Sequence, residues 1–209
     1  MAWHAPRVLR RYNERMAGRD DVKTSIPRVK LTYDDFVLLP DDGKRHELID
    51  GEHYVTPSPA RKHQTISWNL TTLIGSYLRA HPVGRAFAAP FDVVFSNFDV
   101  VEPDLLFISK ERQNDILTAK HVRGAPDLVV EIGSPATRKR DETIKRRLYE
   151  KFGVSEYWVI DPELDSIHVC RRTDAGYTRA AELTLEQQDV LRTPLMPGLD
   201  LPLTVIFED

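Results

Sequence analysis

The stretch PDLVVEIGSP, residues 126–135, constrains the fold of this 209-residue chain more than any other segment. Its run from Leu128 to Ile132 is short and almost wholly apolar, which predicts a strand buried on both faces. Glu131 nevertheless lies inside this run. An ionised carboxylate in such a place costs several kcal/mol unless a cation or hydrogen-bond donors compensate it. We therefore expect positively charged or donating groups close to Glu131 in the interior of the protein.

The composition predicts a folded, soluble protein. Hydrophobic residues make up 41% of the chain and aromatic residues 9%, which is enough to build a packed core. No apolar run approaches the roughly 18 to 20 residues of a transmembrane helix, and the first residues lack the continuous apolar core of a secretory signal. Cys170 is the one cysteine, so an internal disulfide and a thiolate zinc cluster are excluded. We expect a cytoplasmic protein with no membrane partner.

Charge is distributed unevenly along the chain. The net charge of −3 argues against a strongly basic nucleic-acid binder. Residues 138–147 are nevertheless rich in lysine and arginine, and so is the stretch before residue 20. Such local basic patches can attract phosphate even on an acidic protein. The alternative is a solvated helix face and a floppy tail.

The sequence divides into a loosely held basic arm, residues 1–30, and a single domain, residues 31–209. The domain begins with a short helix near Asp34 and a hairpin that turns at Asp50-Gly51. A helix follows over ARKHQTISWNLTTLIGSYLRAH and is closed by His81-Pro82. Three strand segments come next: GRAFAAPFDVVF, PDLLFIS and PDLVVEI.

A second helix, roughly Arg138 to Phe152, is predicted to end at Gly153. SEYWVIDPELDSIHVCRR then predicts a hairpin, with Asp161-Pro162 opening its turn. The fold class expected from this order is α/β (α+β), a mixed β-sheet flanked by helices with an extra β-hairpin region towards the C-terminus.

Two carboxylates are predicted to converge in this fold. Asp104 opens the apolar strand LLFI, and Glu131 lies near the end of LVVEI. If these strands are antiparallel neighbours, the start of one and the end of the other share an edge of the sheet. Alternatively, Asp104 caps a turn after Pro103, and Glu131 pairs with an arginine.

The second helix supplies a cation on its core-facing side. At about 100° per residue, Ile144, Leu148 and Phe152 form an apolar stripe with Lys145 close to its middle. A lysine in that position either extends past the apolar surface or meets an acidic group. Asp141, one turn earlier, could pair with Lys145 or cap the start of the helix. The other basic residues of the segment are expected to point away from the core: Lys139, Arg140, Arg146 and Arg147. A metal ion held by Asp104 and Glu131, with Lys145 beside it, is the candidate compensation for Glu131.

This arrangement resembles the PD-(D/E)xK phosphodiesterase superfamily, and more narrowly the Uma2 family (DUF820) of restriction-endonuclease-like proteins. The resemblance covers about residues 44–171. It is carried by HELIDGEHYVTPSP, RKHQTISWNL, GRAFAAPFDVVFS, VVEPDLLFIS and GAPDLVVEIGSPATRKRDETIKRRLYEKFGVSEYWVIDP. The superfamily's lysine normally stands two residues after the acidic residue, where this chain has Gly133. Uma2-like proteins resemble variants in which the lysine has moved onto the following helix, as Lys145 would have done.

The resemblance implies a restriction-endonuclease-like core and roles for particular residues. Asp104 and Glu131 would ligate Mg²⁺ or Mn²⁺, with the main-chain carbonyl of Ile132 as an extra ligand. Lys145 would position the attacking water and stabilise charge on the phosphorane. Glu47 would supplement the metal site or its surroundings; alternatively it is a carboxylate on the surface of a strand.

Three basic residues are candidates for contact with substrate phosphate. His63 lies on the same helical arc as Ile66 and Leu70, so it is either such a contact or a hydrogen-bonded core histidine. Arg138 and Lys139 belong to the basic patch beside the predicted site.

The function these features favour is metal-dependent endonucleolytic hydrolysis of DNA. The alternative is a catalytically inactive nucleic-acid-binding or protein-interaction module, favoured by Gly133 at the usual lysine position and by the acidic net charge. A third possibility is action on RNA. The chain lacks a Gly-rich phosphate loop and the G-x-S-x-G and H-E-x-x-H motifs, which argues against NTPases, α/β-hydrolases and zincins. Exposed sheet edges and the frequent dimerisation of superfamily nucleases predict a homodimer.

Overall fold

The structure, a computed structural model, describes residues 29–134 and 140–208. Most of the predicted basic arm therefore lies outside the described residues, as do Arg138 and Lys139.

The larger of the sheets within the described residues has six strands, in the order β11-β10-β9-β8-β6-β3. Its strands are β3 (Gly84–Ala88), β6 (Leu105–Ser109), β8 (Leu128–Ile132), β9 (Glu156–Asp161), β10 (Ser166–Thr173) and β11 (Gly176–Thr184). β8 and β9 run parallel, and the other neighbours run antiparallel. The sheet is therefore mixed, as the sequence predicts.

A second sheet of five strands has the order β2-β1-β5-β4-β7. Its strands are β1 (Arg45–Ile49), β2 (Glu52–Thr56), β4 (Val93–Ser96), β5 (Asp99–Val101) and β7 (Val122–Arg123). β1 and β2 form the predicted hairpin, and positive φ values at Asp50 and Gly51 make its tight turn. β12 (Val190–Leu191) and β13 (Leu201–Pro202) pair separately.

The helices within the described residues are α1 (Tyr33–Phe36), α2 (Arg61–Ala80), α3 (Gln113–Ile116), a π-helical turn (Asp141–Lys145) that leads into α4 (Arg146–Phe152), and α5 (Leu203–Ile206). α2 and α4 lie on opposite faces of the larger sheet, whereas α1 packs against the smaller sheet. α4 ends at Gly153, whose φ of 85° suits a residue without a Cβ. No helix in the described part of the chain is both long and apolar enough to cross a membrane.

Alternation along β8 divides the core into two layers. Leu128, Val130 and Ile132 face α2, where they meet Ile66 and Leu70 among other buried side chains. Val129 faces the other way, into a cluster with Leu148 and Tyr149 of α4 and residues of the smaller sheet. Glu131 shares the second face, so its carboxylate is directed between β8, α4 and the smaller sheet.

One strand segment differs from the prediction. GRAFAAPFDVVF is two strands in different sheets, β3 in the larger sheet and β4 in the smaller one. The break falls at the Ala89-Pro90 bond, because proline lacks the N–H that a continuous ladder needs.

Candidate active site

Glu131 is buried, with 3% of its surface exposed, and two donors meet the same oxygen of its carboxylate. Lys145 Nζ lies 2.9 Å from Oε1, and the hydroxyl of Tyr149 donates to Oε1 at 2.5 Å. Lys145 and Tyr149 are four residues apart on one helical segment, so both side chains project towards the sheet together. Of the two alternatives for Lys145, extension past the apolar surface or contact with an acidic group, the structure has the second. The alternative, an arginine paired with Glu131, is not what the described residues show.

Lys145 joins two carboxylates rather than one. Its Nζ lies 2.7 Å from Glu47 Oε1 as well as 2.9 Å from Glu131 Oε1, and only 3% of the side chain is exposed. Burial opposes the charge on Lys145, but Glu131, Glu47 and Asp141 more than offset it and raise the lysine's pKa above its ordinary value. Asp141 Oδ1 is 4.0 Å from Nζ, at the outer limit of an ion pair. Lys145 is therefore a permanent cation at the centre of the site.

Asp104 is next to this pair because β6 and β8 are antiparallel neighbours, which is the condition under which the sequence predicts that the two carboxylates converge. Leu105 pairs with Val130, and continuing that register by one residue sets Asp104 across from Glu131. The backbone amide of Ile132 donates to Asp104 Oδ2 at 2.7 Å. Asp104 thus binds the strand of Glu131 directly. The described hydrogen bonds of its side chain reach residues distant in sequence, and not a turn after Pro103.

Two basic side chains also hold Asp104. Arg45 Nη1 lies 2.7 Å from Oδ1, and His63 Nε2 lies 3.2 Å from Oδ2. Burial alone would raise the pKa of Asp104, but His63, Arg45 and the Ile132 amide lower it to about 2. Asp104 is therefore ionised throughout the physiological range.

Glu47 is a buried member of the site and not a surface carboxylate, since only 1% of it is exposed. The backbone amide of Glu102 donates to its Oε1 at 3.1 Å, and Lys145 lies against the same oxygen. Arg140 Nη2 is 3.4 Å from Oε2, and Arg140 also donates to Thr56 at 2.9 Å.

Arg140 corrects one prediction. The sequence placed it among the side chains that point away from the core, but it is 13% exposed and lies beside Glu47. A uniform progression of about 100° per residue does not apply there, because residues Asp141–Lys145 form a π-helical turn. For the same reason Ile144, predicted in the apolar stripe, is 39% exposed, whereas Leu148 is buried.

His63 combines features of both predicted alternatives. Its Nε2 contacts Asp104, as expected of a hydrogen-bonded core histidine. Its Nδ1 is buried and has no hydrogen-bond partner among the described residues. The ring also borders a cleft of about 430 Å³. Side chains that reach this cleft include Arg45, His63, Gln64, Ser67, Glu102 and Asp104.

The site contains more acidic than basic groups. The carboxylates are those of Glu47, Glu102, Asp104, Glu131 and Asp141, and the permanent cations among them are Arg45, Arg140 and Lys145. Burial raises the pKa of Glu131 to about 8, with Lys145 opposing that rise and neighbouring carboxylates adding to it. Burial likewise raises the pKa of Glu102 to about 7. With all five carboxylates ionised against three cations, the cluster would carry two unbalanced negative charges, which one divalent cation would offset.

The donor set suits such a cation chemically, since Mg²⁺ and Mn²⁺ prefer carboxylate and carbonyl oxygens with retained waters. No three Asp, Glu, His or Cys side chains within residues 29–134 and 140–208 are arranged as a metal-binding group. The predicted site needs only Asp104 and Glu131, the carbonyl of Ile132 and waters. It stays a prediction.

Gly133 stands where the superfamily's lysine is expected, and its surroundings are tight. Its amide donates to the carbonyl of Ile160 at 2.8 Å, and a Cβ at this position would lie 3.3 Å from that same oxygen. A side chain at residue 133 would therefore crowd β9. Lys145 reaches Glu131 from the helix instead.

Residues 33–204 match the Uma2 family, described as "Putative restriction endonuclease". The chain belongs to the Uma2 family. No match was found among curated proteins.

A solved structure shares the fold of this Uma2 chain. It is the 1.96 Å crystal structure of "a putative nuclease belonging to DUF820" from Anabaena variabilis, with a TM-score of 0.71 and 24% sequence identity. The match covers 85% of this chain and 97% of the other. The predicted fold class and family resemblance are thereby confirmed.

Several residues of this Uma2 site were not predicted from the sequence. Tyr149 could have been found from its spacing of four residues after Lys145. Arg45, Arg140 and Glu102 had no such signal, because their partners are distant in sequence: Arg45 and Asp104 are 59 positions apart. Arg138 and Lys139, proposed to contact substrate, lie outside the described residues.

Proposed function

We propose that this protein is a metal-dependent endonuclease that hydrolyses phosphodiester bonds in DNA. The observation that carries the proposal is the buried contact of Lys145 with both Glu47 and Glu131, beside Asp104 at the wall of a cleft. Membership of a family described as restriction endonucleases supports the same class of reaction.

Asp104, Glu131 and the Ile132 carbonyl would hold Mg²⁺ or Mn²⁺. When bound, such a cation lowers the pKa of a coordinated water and stabilises charge on the scissile phosphate. The protein's own groups have separate tasks. Tyr149 and Lys145 orient Glu131, while the Ile132 amide and His63 orient Asp104.

Lys145 supplies a fixed positive charge close to the reacting phosphate. Because its ammonium group already lies between two carboxylates, it needs no reorganisation as charge develops. Glu47 holds Lys145 in that position from the opposite side.

Cleavage of plasmid and linear duplex DNA in Mg²⁺ or Mn²⁺ tests the proposal. We expect cleavage by the wild type and a loss of about 100-fold or more in Lys145→Met. The matched control is Lys151→Met, which removes a lysine that is 62% exposed on the same helix, and it should cut at the wild-type rate. Wild-type protein that cuts no DNA in either cation contradicts the proposal.

The second candidate is a catalytically inactive binding module of the same fold. It is favoured by one observation: both oxygens of Asp104 already contact protein donors. DNA binding without cleavage in either cation would establish it, and cleavage of RNA in place of DNA would change the substrate class alone.

A further inference from the structure

The two oxygens of Asp104 are held in different ways. Oδ2 accepts from the backbone amide of Ile132 at 2.7 Å and contacts His63 Nε2 at 3.2 Å. Ile132 belongs to the central strand β8, and His63 to the 20-residue helix α2. The described contact of Oδ1 is with Arg45 Nη1, at 2.7 Å. Rigid elements thus hold Oδ2, whereas Oδ1 is held by one long, flexible side chain.

Arg45 is placed so that it can move. It is the first residue of β1, its side chain is 21% exposed, and it borders the cleft of about 430 Å³. A guanidinium carries five N–H donors, and the other contacts of Arg45 are long. Nη1 lies 3.4 Å from the Glu102 carbonyl oxygen, and Nε lies 3.6 Å from Glu102 Oε1. Most of the hydrogen-bonding capacity of Arg45 is therefore directed to Asp104 or to the cleft.

Glu102 offers Arg45 a second position. Its Oε1 is buried and accepts no hydrogen bond within the described part of the chain. A small displacement of Arg45 towards Glu102 would satisfy this oxygen, and it would free Oδ1 of Asp104. The guanidinium would remain at the wall of the cleft, with its fork of donors open to a ligand.

We propose that Arg45 is a substrate-phosphate-binding residue that Asp104 retains until Oδ1 ligates a divalent cation. The inference rests on the function proposed above. A phosphodiester presents two anionic oxygens, which a guanidinium binds in a bidentate manner. If a divalent cation replaces the Arg45 guanidinium at Oδ1, the negative charge of Asp104 stays balanced. Arg45 would then be released to bind phosphate only when the divalent cation is bound.

Competition between Arg45 and a divalent cation for Oδ1 predicts that removing Arg45 raises the affinity for the cation. Calorimetric titration with Mn²⁺ alone should show about tenfold tighter binding by Arg45→Met than by wild type, because the competing charge is removed. Arg45→Lys keeps a competing charge and should bind Mn²⁺ much as the wild type does. Arg112→Met is the matched control. It removes an arginine whose Nη1 lies at the same 2.7 Å from a carboxylate, that of Asp127, and it should leave Mn²⁺ affinity unchanged.

A second measurement follows the phosphate contact. Fluorescence anisotropy reports the binding of a labelled duplex oligonucleotide, with Ca²⁺ as the cation and the oligonucleotide shown to be intact by electrophoresis. Arg45→Met should bind the duplex about tenfold more weakly than wild type in Ca²⁺, and about equally without divalent cations, where Asp104 holds Arg45. An equal loss in both conditions would overturn the exchange.

The outcomes separate this inference from the function on which it rests. Wild-type protein that binds no Mn²⁺, alone or with DNA, overturns both. A wild type that binds Mn²⁺ while folded Arg45→Met binds it equally or more weakly overturns the role of Arg45 alone. In that case Arg45 would be a structural partner of Asp104.

Discussion

The carboxylate of Glu131 is compensated by one charged and one neutral donor on the same oxygen. Lys145 provides the charge, and Tyr149 provides a short hydrogen bond from a fully buried hydroxyl. A neutral donor adds a hydrogen bond without adding a second positive charge. Burial therefore outweighs the opposing charge of Lys145, and the pKa of Glu131 is raised to about 8.

The hydrogen bond from Tyr149 to the carboxylate of Glu131 is expected to contribute more to stability than a hydrogen bond to an uncharged acceptor does. At pH 9, where Glu131 is ionised, Tyr149→Phe should lower the free energy of unfolding by about 2 kcal/mol. Tyr157→Phe is the control, since its equally buried hydroxyl donates to the uncharged carbonyl of Asp141 at 3.1 Å, and it should cost about 1 kcal/mol. Urea unfolding gives both values. A smaller loss in Tyr149→Phe than in Tyr157→Phe would contradict this account.

The raised pKa of Glu131 predicts how stability depends on pH in the metal-free protein. Its ordinary value is 4.5 and its folded-state value is about 8, so between these limits the folded state binds more protons than the unfolded state. Stability then falls as pH rises, by up to about 1.4 kcal/mol per pH unit from this group. Glu131→Gln should flatten that slope when urea unfolding in EDTA is compared from about pH 5 to pH 8. Parallel wild-type and variant curves would show that Glu131 has an ordinary pKa.

At the scale of single residues, the sequence predicts the side chains that the periodicity of their own element directs to the core, and it misses those placed by the packing of distant elements. Lys145 was found because its helical arc faces the core. Arg45 was not, because only the packing of β1 against the start of β6 brings it to Asp104. The contacts that hold Glu47 likewise come from groups distant in sequence, the amide of Glu102 and the ammonium group of Lys145.

At the scale of elements, the π-helical turn Asp141–Lys145 determines which side chains face the site. Each turn of a π-helix contains more residues than a turn of an α-helix. The side chains of this segment therefore point in directions that differ from those of a regular α-helix. Asp141 and Lys145 are both buried, whereas Ile144 between them is 39% exposed. A sequence read with a period of 3.6 residues cannot anticipate that shift.

The π-helical turn predicts different stability losses for Ile144 and Leu148, two apolar residues that the sequence places in the same stripe. Leu148→Ala should lower the free energy of unfolding by about 2–5 kcal/mol, because the side chain is 4% exposed in a packed cluster. Ile144→Ala should cost less than about 1 kcal/mol. Chemical denaturation of the two variants measures the difference. Equal losses would mean that the helix has a regular α-helical phase.

The main elements of the fold were predictable because their signals are local. The hairpin at Asp50-Gly51, the end of α2 at His81-Pro82 and the cap at Gly153 all follow from turn and cap chemistry. The separation of β3 from β4 into two sheets was not, since both pieces are apolar and only tertiary pairing distinguishes their partners. The sequence could state the pairing of β6 with β8 only as a condition, because neither strand by itself specifies its neighbour.

At the scale of the whole molecule, the six-stranded sheet leaves β3 and β11 as its outer strands within the described residues. Outer strands present unpaired backbone groups that proteins commonly cover. Together with the proposed cleavage of both strands of a duplex, these strand edges support the prediction of a homodimer. Sedimentation velocity should give about twice the 24.0 kDa chain mass at micromolar concentration. A single species at the chain mass would contradict the proposed dimer.

Divalent-cation binding at the buried carboxylate cluster distinguishes a metal site from a purely structural set of ion pairs. Calorimetric titration with Mn²⁺ should show saturable binding by the wild type and none, or at least about tenfold weaker binding, by Glu131→Gln. Glu156→Gln is the matched control, a 1% exposed carboxylate on the neighbouring strand that contacts Trp158 and Arg171 away from the site. It should bind Mn²⁺ as the wild type does. Equal Mn²⁺ affinity in wild type and Glu131→Gln, or no binding by wild type with DNA present, would contradict the assignment of this cluster as a metal site.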